Sequence, residues 1–199
     1  AASGDTIQLG EGNYTLYGVS SVGHTKGKDL TFIGAGTDKT VWNMGTSKDG
    51  KPGNEDGDYS FDGSEKVTFK NMTLRSSVKD GTGDMVTRNY TGFIRADNTV
   101  VEDCTINGLT FYWGYESATF KNTTFNCPVK KFYFLTLEEY AIWTYSSPVM
   151  TFDSCTFNSS GKVINVYTDY SAGKHDITVN FKDCTVNNTS SNKAVLNIN

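Results

Sequence analysis

The stretch Thr119-Phe120-Lys121-Asn122-Thr123-Thr124-Phe125-Asn126 returns along the chain as Val67-Thr68-Phe69-Lys70-Asn71-Met72-Thr73-Leu74, Val100-Val101-Glu102-Asp103-Cys104-Thr105-Ile106-Asn107, Thr151-Phe152-Asp153-Ser154-Cys155-Thr156-Phe157-Asn158 and Asn180-Phe181-Lys182-Asp183-Cys184-Thr185-Val186-Asn187. A degenerate copy is Leu30-Thr31-Phe32-Ile33-Gly34-Ala35-Gly36. Measured between the anchors Phe32, Phe69, Val101, Phe120, Phe152 and Phe181, the gaps are 37, 32, 19, 32 and 29 residues. A constant motif at irregular spacing marks coils that carry loops of variable length. Each copy is two short alternating runs around an Asn, Asp or Ser, too small to bury an apolar face alone. It becomes stable by stacking on the next copy at the ~4.8 Å spacing of strands in a sheet. The expected fold is an all-β parallel β-helix of about six or seven coils, roughly 30 Å long, forming one domain over residues 1–199.

Composition agrees. The 199 residues include 26 Thr, 17 Asn and 26 aromatics against 8 Leu and 8 Ala, which favours pleated surfaces over helices. Twenty Gly and three Pro supply turns without the signature of a disordered tail. Two columns in the alignment sharpen the reading. Asn107, Asn126, Asn158 and Asn187 share one position, where each side-chain amide in a tight turn can bond its copies above and below. Met72, Cys104, Thr123, Cys155 and Cys184 share another, flanked by apolar residues two positions away, and are expected to point inward.

These motifs, with Gly4-Asp5-Thr6-Ile7-Gln8-Leu9 and Gly12-Asn13-Tyr14-Thr15-Leu16 as a first coil and Asp29 to Gly36 as a second, make the chain resemble right-handed parallel β-helix proteins of the pectate-lyase-like superfamily, closest in character to bacterial surface and adhesin domains. The resemblance spans the whole chain and implies a fold. It leaves chemistry open, because this scaffold carries lyases, hydrolases, adhesins and phage spikes alike. Ala194-Val195-Leu196-Asn197-Ile198-Asn199 alternates like a further strand, so the chain reads as a fragment of a longer surface protein or one end of a longer solenoid. The stretch Met44 to Asp62 is the least repetitive and is expected to leave the coil.

Net charge is −4, with no basic run that would track a phosphate backbone, so nucleic acid is not an expected partner. No apolar run approaches the ~20 residues of a membrane helix, and membrane insertion is not expected. Three of the four Cys fall in the inward column and read as small apolar fillers; Cys155 and Cys184 have marginal spacing for a disulfide, and Cys127 lies off the repeat. His24 and His175 are far apart in coil order, which argues against a zinc site. The seven Asn-x-Ser/Thr patterns, at Asn13, Asn71, Asn89, Asn122, Asn158, Asn187 and Asn188, arise mostly from the repeat itself. Free thiols with fold-derived sequons suggest an exported bacterial protein, extracellular or at the cell surface.

The resemblance also says what an enzyme on this scaffold would carry. A lyase needs an acidic cluster for Ca²⁺ and a basic residue for the α-proton, yet Arg occurs only at positions 75, 88 and 95. The hydrolase motifs with paired Asp, Gly-His-Gly and Arg-Ile-Lys, and the lyase hallmark Trp-Ile-Asp-His, are all absent. Asp103 and Asp183 take the turn position that Asn71, Asn122 and Ser154 fill elsewhere, which points to turn hydrogen bonding. The loop from Asp49 to Asp62, with Asn54-Glu55-Asp56-Gly57-Asp58, is either a cation loop or a solvated acidic loop, and Glu138-Glu139 reads as a solvated pair. No cofactor and no metal is expected.

Aromatic residues carry the functional expectation. Aligning the segments before each anchor brings Ile94-Arg95, Tyr112-Trp113, Ile142-Trp143 and Val166-Tyr167 together, one inward and one outward residue per pair. Arg95, Trp113, Trp143 and Tyr167 would then form an outward column, with Tyr115, Tyr145 and Tyr170 beside it. Such rings suit sugar faces or a protein partner; the other reading is a stack that braces the sheet or lies under Phe132-Tyr133-Phe134. The expected function is a non-catalytic binding or adhesion module that recognises a glycan or host surface protein through Arg95, Trp113, Tyr115, Trp143, Tyr145 and Tyr167. The alternatives are a carbohydrate-active enzyme using Asp56, Asp58 and Glu138, and an inert spacer.

Overall fold

A computed structural model describes residues 1–17, 25–46, 59–61, 63–76, 93–94, 96–107, 116–126, 130–132, 135–137, 140–143, 148–159, 164–167, 176–188 and 196–198. Every regular element among them is a strand. Strands come in consecutive pairs, one pair per coil: Thr6–Gln8 with Gly12–Tyr17, Asp29–Ile33 with Thr40–Thr46, Lys66–Lys70 with Thr73–Ser76, Asn98–Glu102 with Thr105–Asn107, Ser117–Lys121 with Thr124–Asn126, Val149–Asp153 with Thr156–Ser159, and Thr178–Lys182 with Thr185–Asn188. First strands form one seven-stranded sheet and second strands another, in coil order. All neighbours are parallel. The chain is a parallel β-helix of seven coils.

A third face is made of shorter pieces. Tyr59–Ser60 pairs with Phe93–Ile94, and Tyr140–Trp143, Ile164–Tyr167 and Leu196–Ile198 form a second parallel group. The terminal alternation of the sequence is therefore the last strand of this face. The excursion expected from Met44 to Asp62 is shorter than that: Met44 lies inside the second strand of coil 2, and Tyr59–Ser60 belongs to the third face. Between coil 5's second strand and its third-face strand, Lys130–Phe132 and Leu135–Leu137 form an antiparallel hairpin.

One turn conformation recurs. Asn71, Asp103, Asn122, Ser154 and Asp183 all have φ between 46° and 57°, the left-handed region that short polar side chains tolerate best. This is why the repeat places Asn, Asp or Ser between its two runs. The coil-to-coil ladder continues through the turn. Asn122 N–H donates to Asp153 C=O at 2.9 Å, and Thr124 N–H donates to Cys104 C=O at 3.0 Å.

In coils 5 and 6 the interior carries two facing aromatic columns, while coil 4 has the fully buried Val101 and Ile106 at the same positions. Phe120 stacks on Phe152 at 4.9 Å and 6°, Phe125 stacks on Phe157 at 4.8 Å and 9°, and the columns meet edge to face, as in Phe120–Phe125 at 5.1 Å and 67°. Ring spacing matches strand spacing, so burial and the aromatic quadrupole favour the same geometry. Trp42, Phe32, Phe61 and Phe69 repeat the arrangement at the other end. Among the described residues two buried hydroxyls have no hydrogen-bond partner, those of Ser64 and Thr99, and at the fully buried Thr99 this is an uncompensated desolvation cost. Thr99→Val keeps the shape and removes that cost, and is expected to raise stability by about 1 kcal/mol in urea unfolding.

Outside, the last outward position of the first strands reads Lys70, Glu102, Lys121, Asp153, Lys182, alternating in sign from coil to coil. Lys70 pairs with Glu102 at 2.6 Å and Lys182 with Asp153 at 2.9 Å. The Lys182 ammonium bond, helped by Ser154, holds the Asp153 carboxyl below the usual carboxylate range. Exposed pairs contribute little stability, but alternation keeps like charges from facing one another and opposes a slip by one coil.

Candidate functional site

The third face tests the alignment of the aromatic segments at one place. Ile142 stands opposite Val166, and Trp143 stands opposite Tyr167, in a parallel ladder. These are the pairs the sequence alignment brings together. Two of the six candidate residues are thus direct neighbours on adjacent coils. Arg95, Trp113, Tyr115 and Tyr145 lie outside the described residues, as do Asp56, Asp58 and Glu138. The chain places Trp113 and Tyr115 in the stretch that links coil 4's second strand, ending at Asn107, to coil 5's first strand, starting at Ser117.

Of the two turn carboxylates, Asp103 makes the expected side-chain hydrogen bond, and Asp183 shares its left-handed backbone. Asp103 has left-handed backbone and its Oδ1 accepts Asn122 Nδ2 at 2.7 Å, while Asn71 Nδ2 donates to Gly34 C=O at 3.1 Å. Among the described residues no group of three His, Cys, Asp or Glu could hold a metal ion. Among them, too, no helix is long and apolar enough to cross a membrane.

The inward thiols have a role that the sequence does not disclose. Cys104 Sγ lies 3.1 Å from Glu102 C=O and 3.6 Å from Phe69 C=O of the coil before; Cys155 and Cys184 repeat this with Asp153 and Phe120, and with Lys182 and Phe152. Thr123 makes the same pair of contacts through its hydroxyl, to Lys121 and Val101. From coil 4 onward the position holds a small inward donor that bonds two carbonyls, which explains why Cys and Thr interchange there, whereas coil 3 fills it with the fully buried Met72. All three thiols are free. Burial pushes Cys104 up to about 12 and Cys155 up to about 11, so both are neutral donors and poor nucleophiles.

A raised folded-state pKa means the folded chain holds its proton longer than the unfolded one. The contribution is whole below the ordinary thiol value of 9.0 and is lost as pH climbs from there toward 12. For Cys104 this amounts to about 1.4 kcal/mol per pH unit in that window. Urea unfolding from pH 8 to 11 is expected to fall less steeply in Cys104→Ala than in the parent; equal slopes would contradict it.

The second face carries the Asn ladder. Asn126 Nδ2 donates to Asn107 Oδ1 at 2.8 Å, Asn158 to Asn126 at 2.7 Å, and Asn187 to Asn158 at 2.9 Å. The ladder lies within strands, at the last residue for Asn107 and Asn126 and one before it for Asn158 and Asn187, and not, as the sequence suggests, in a tight turn. The reason is that the coil turns earlier, at the left-handed residue. Coil 3 has Arg75 at this position. Two residues before each ladder Asn, Thr105, Thr124, Thr156 and Thr185 form a second in-register row. The intervening Ile106, Phe125 and Phe157 are buried.

Compared with models of known protein families, with curated proteins and with solved structures, the chain matches none.

Proposed function

We propose that this β-helix is a non-catalytic binding or adhesion module of an exported bacterial surface protein, engaging a glycan or host surface protein through the aromatic residues of its third face. The observation that carries the reading is the register of Trp143 against Tyr167 and Ile142 against Val166, on a scaffold whose stacked coils hold neighbouring residues at fixed spacing. Aromatic residues at one register position of a parallel ladder recur at strand spacing, a repeat that suits sugar faces or a partner's hot spots. The sequence motifs that would mark a lyase or hydrolase on such a scaffold are absent from the chain.

Trp143→Ala, tested on a glycan array and by melting, is expected to weaken binding by ~1–3 kcal/mol, the range of aromatic hot spots, with little change in Tm. A large fall in Tm without a specific loss of binding would place the ring in the core and end the reading. Turnover of any polysaccharide, seen as new ultraviolet absorbance or reducing ends and abolished by substituting Asp56, Asp58 or Glu138, would replace it with the enzyme alternative.

A further inference from the structure

We infer that coils 4 to 7 present a second binding surface, the Thr-x-Asn array of the second face, and that it fits a neutral, extended polysaccharide lying along the solenoid axis. The array is separate from the third face, and the inference does not depend on the aromatic residues there.

Three observations lead to it. The hydroxyls of Thr105, Thr124, Thr156 and Thr185 have no side-chain partner among the described residues, whereas Thr73, one coil earlier, donates to Thr37 C=O at 2.7 Å. Four hydroxyls in register are thus left to solvent or to a ligand. Second, the ladder bonds run in one direction, Nδ2 to the Oδ1 of the coil before, so neighbouring amides are oriented alike. Each bond uses one of an amide's two N–H groups, and a ladder Asn keeps the other N–H and an oxygen lone pair. Third, neither row contains a charged residue from coil 4 to coil 7, in contrast to the alternating charges on the first face.

Together these decide the class of ligand. A phosphate polymer or a uronate chain calls for Arg or Lys, which the two rows lack. A protein partner calls for aromatic or Arg anchors at the centre of the contact, and the rows have neither. What remains is a row of hydroxyls beside a row of pre-oriented amides, repeating at the ~4.8 Å of the coil step. β-Branched Thr is held to few rotamers and the ladder immobilises the amides, so little side-chain entropy is lost on binding. A polymer that offers neutral hydroxyls at a comparable repeat, such as a β-linked glucan or mannan, matches this pattern.

Affinity electrophoresis of the whole chain in gels containing β-glucan, mannan or polygalacturonate tests the idea. Retardation is expected in a neutral gel and not in polygalacturonate. The double variant Thr124→Val, Thr156→Val is expected to bind about 10-fold more weakly, as for two lost hydrogen bonds, with Tm unchanged, and Thr124→Ser, Thr156→Ser is expected to restore binding. Trp143→Ala separates the two surfaces. If it weakens retardation while the Val pair does not, the array inference falls and the aromatic reading stands; if only the Val pair weakens it, the array stands alone. Equal retardation by polygalacturonate, or no retardation in any neutral gel, overturns the inference. Adsorption to growing ice without polysaccharide binding also overturns it, and assigns the array to ordered water.

Discussion

Phe152→Ala is expected to cost about 3–5 kcal/mol, the range for removing a large aromatic side chain from a packed interior. Phe152 is fully buried. It stacks on Phe120 at 4.9 Å and on Phe181 at 5.3 Å, and meets the edges of Phe125 at 5.8 Å and Phe157 at 5.3 Å. Truncation removes four ring contacts at once and opens a cavity that rigid coils on both sides cannot collapse. Phe181 occupies the same column but is 40 % exposed, so Phe181→Ala, at about 1 kcal/mol, is the internal control. Since coils contact only their neighbours, loss of amide exchange protection is expected to centre on coils 5 to 7. Equal costs for the two substitutions would mean that the columns are not a continuous core.

Gly34→Ala is expected to cost about 3 kcal/mol, at the upper end of overpacking penalties. A Cβ there would lie 2.5 Å from Asn71 C=O, 2.8 Å from Met72 Cβ and 2.9 Å from Thr40 Cβ. None of these atoms is the free end of a flexible side chain. The same residue holds two bonds of the coil 2 to coil 3 seam: its N–H donates to Lys70 C=O at 2.9 Å and its C=O accepts Asn71 Nδ2 at 3.1 Å. Moving the backbone to admit a methyl group therefore strains both. Gly10→Ala meets only Tyr14 Oη at 3.8 Å and is expected to be close to neutral. Denaturant unfolding of the two variants side by side checks the difference, and a neutral Gly34→Ala would mean the seam is looser than these distances.

Several features of the molecule are legible in the order of its residues alone. The two alternating runs and the residue between them repeat locally, so the motif reveals coils, inward columns and the polar turn residue at Asn71, Asp103, Asn122, Ser154 and Asp183, all of them left-handed in the folded chain. The Asn ladder can be read for the same reason: a residue that recurs once per coil at a fixed motif position must meet its own copies. The pairing of Trp143 with Tyr167 rests on matching apolar–aromatic pairs and not on a fixed count, since Trp143 lies 9 residues before Phe152 and Tyr167 lies 14 before Phe181.

Other features are not legible there, because they join positions whose separation the loops vary from coil to coil. Cys104 reaches a carbonyl on Phe69, 35 residues earlier, and Asn71 closes on Gly34, 37 residues earlier. Local alternation determines which way a residue faces. Stacking alone determines what it meets there, because a coil's neighbours are chosen by the burial of whole aromatic columns and not by distance along the chain.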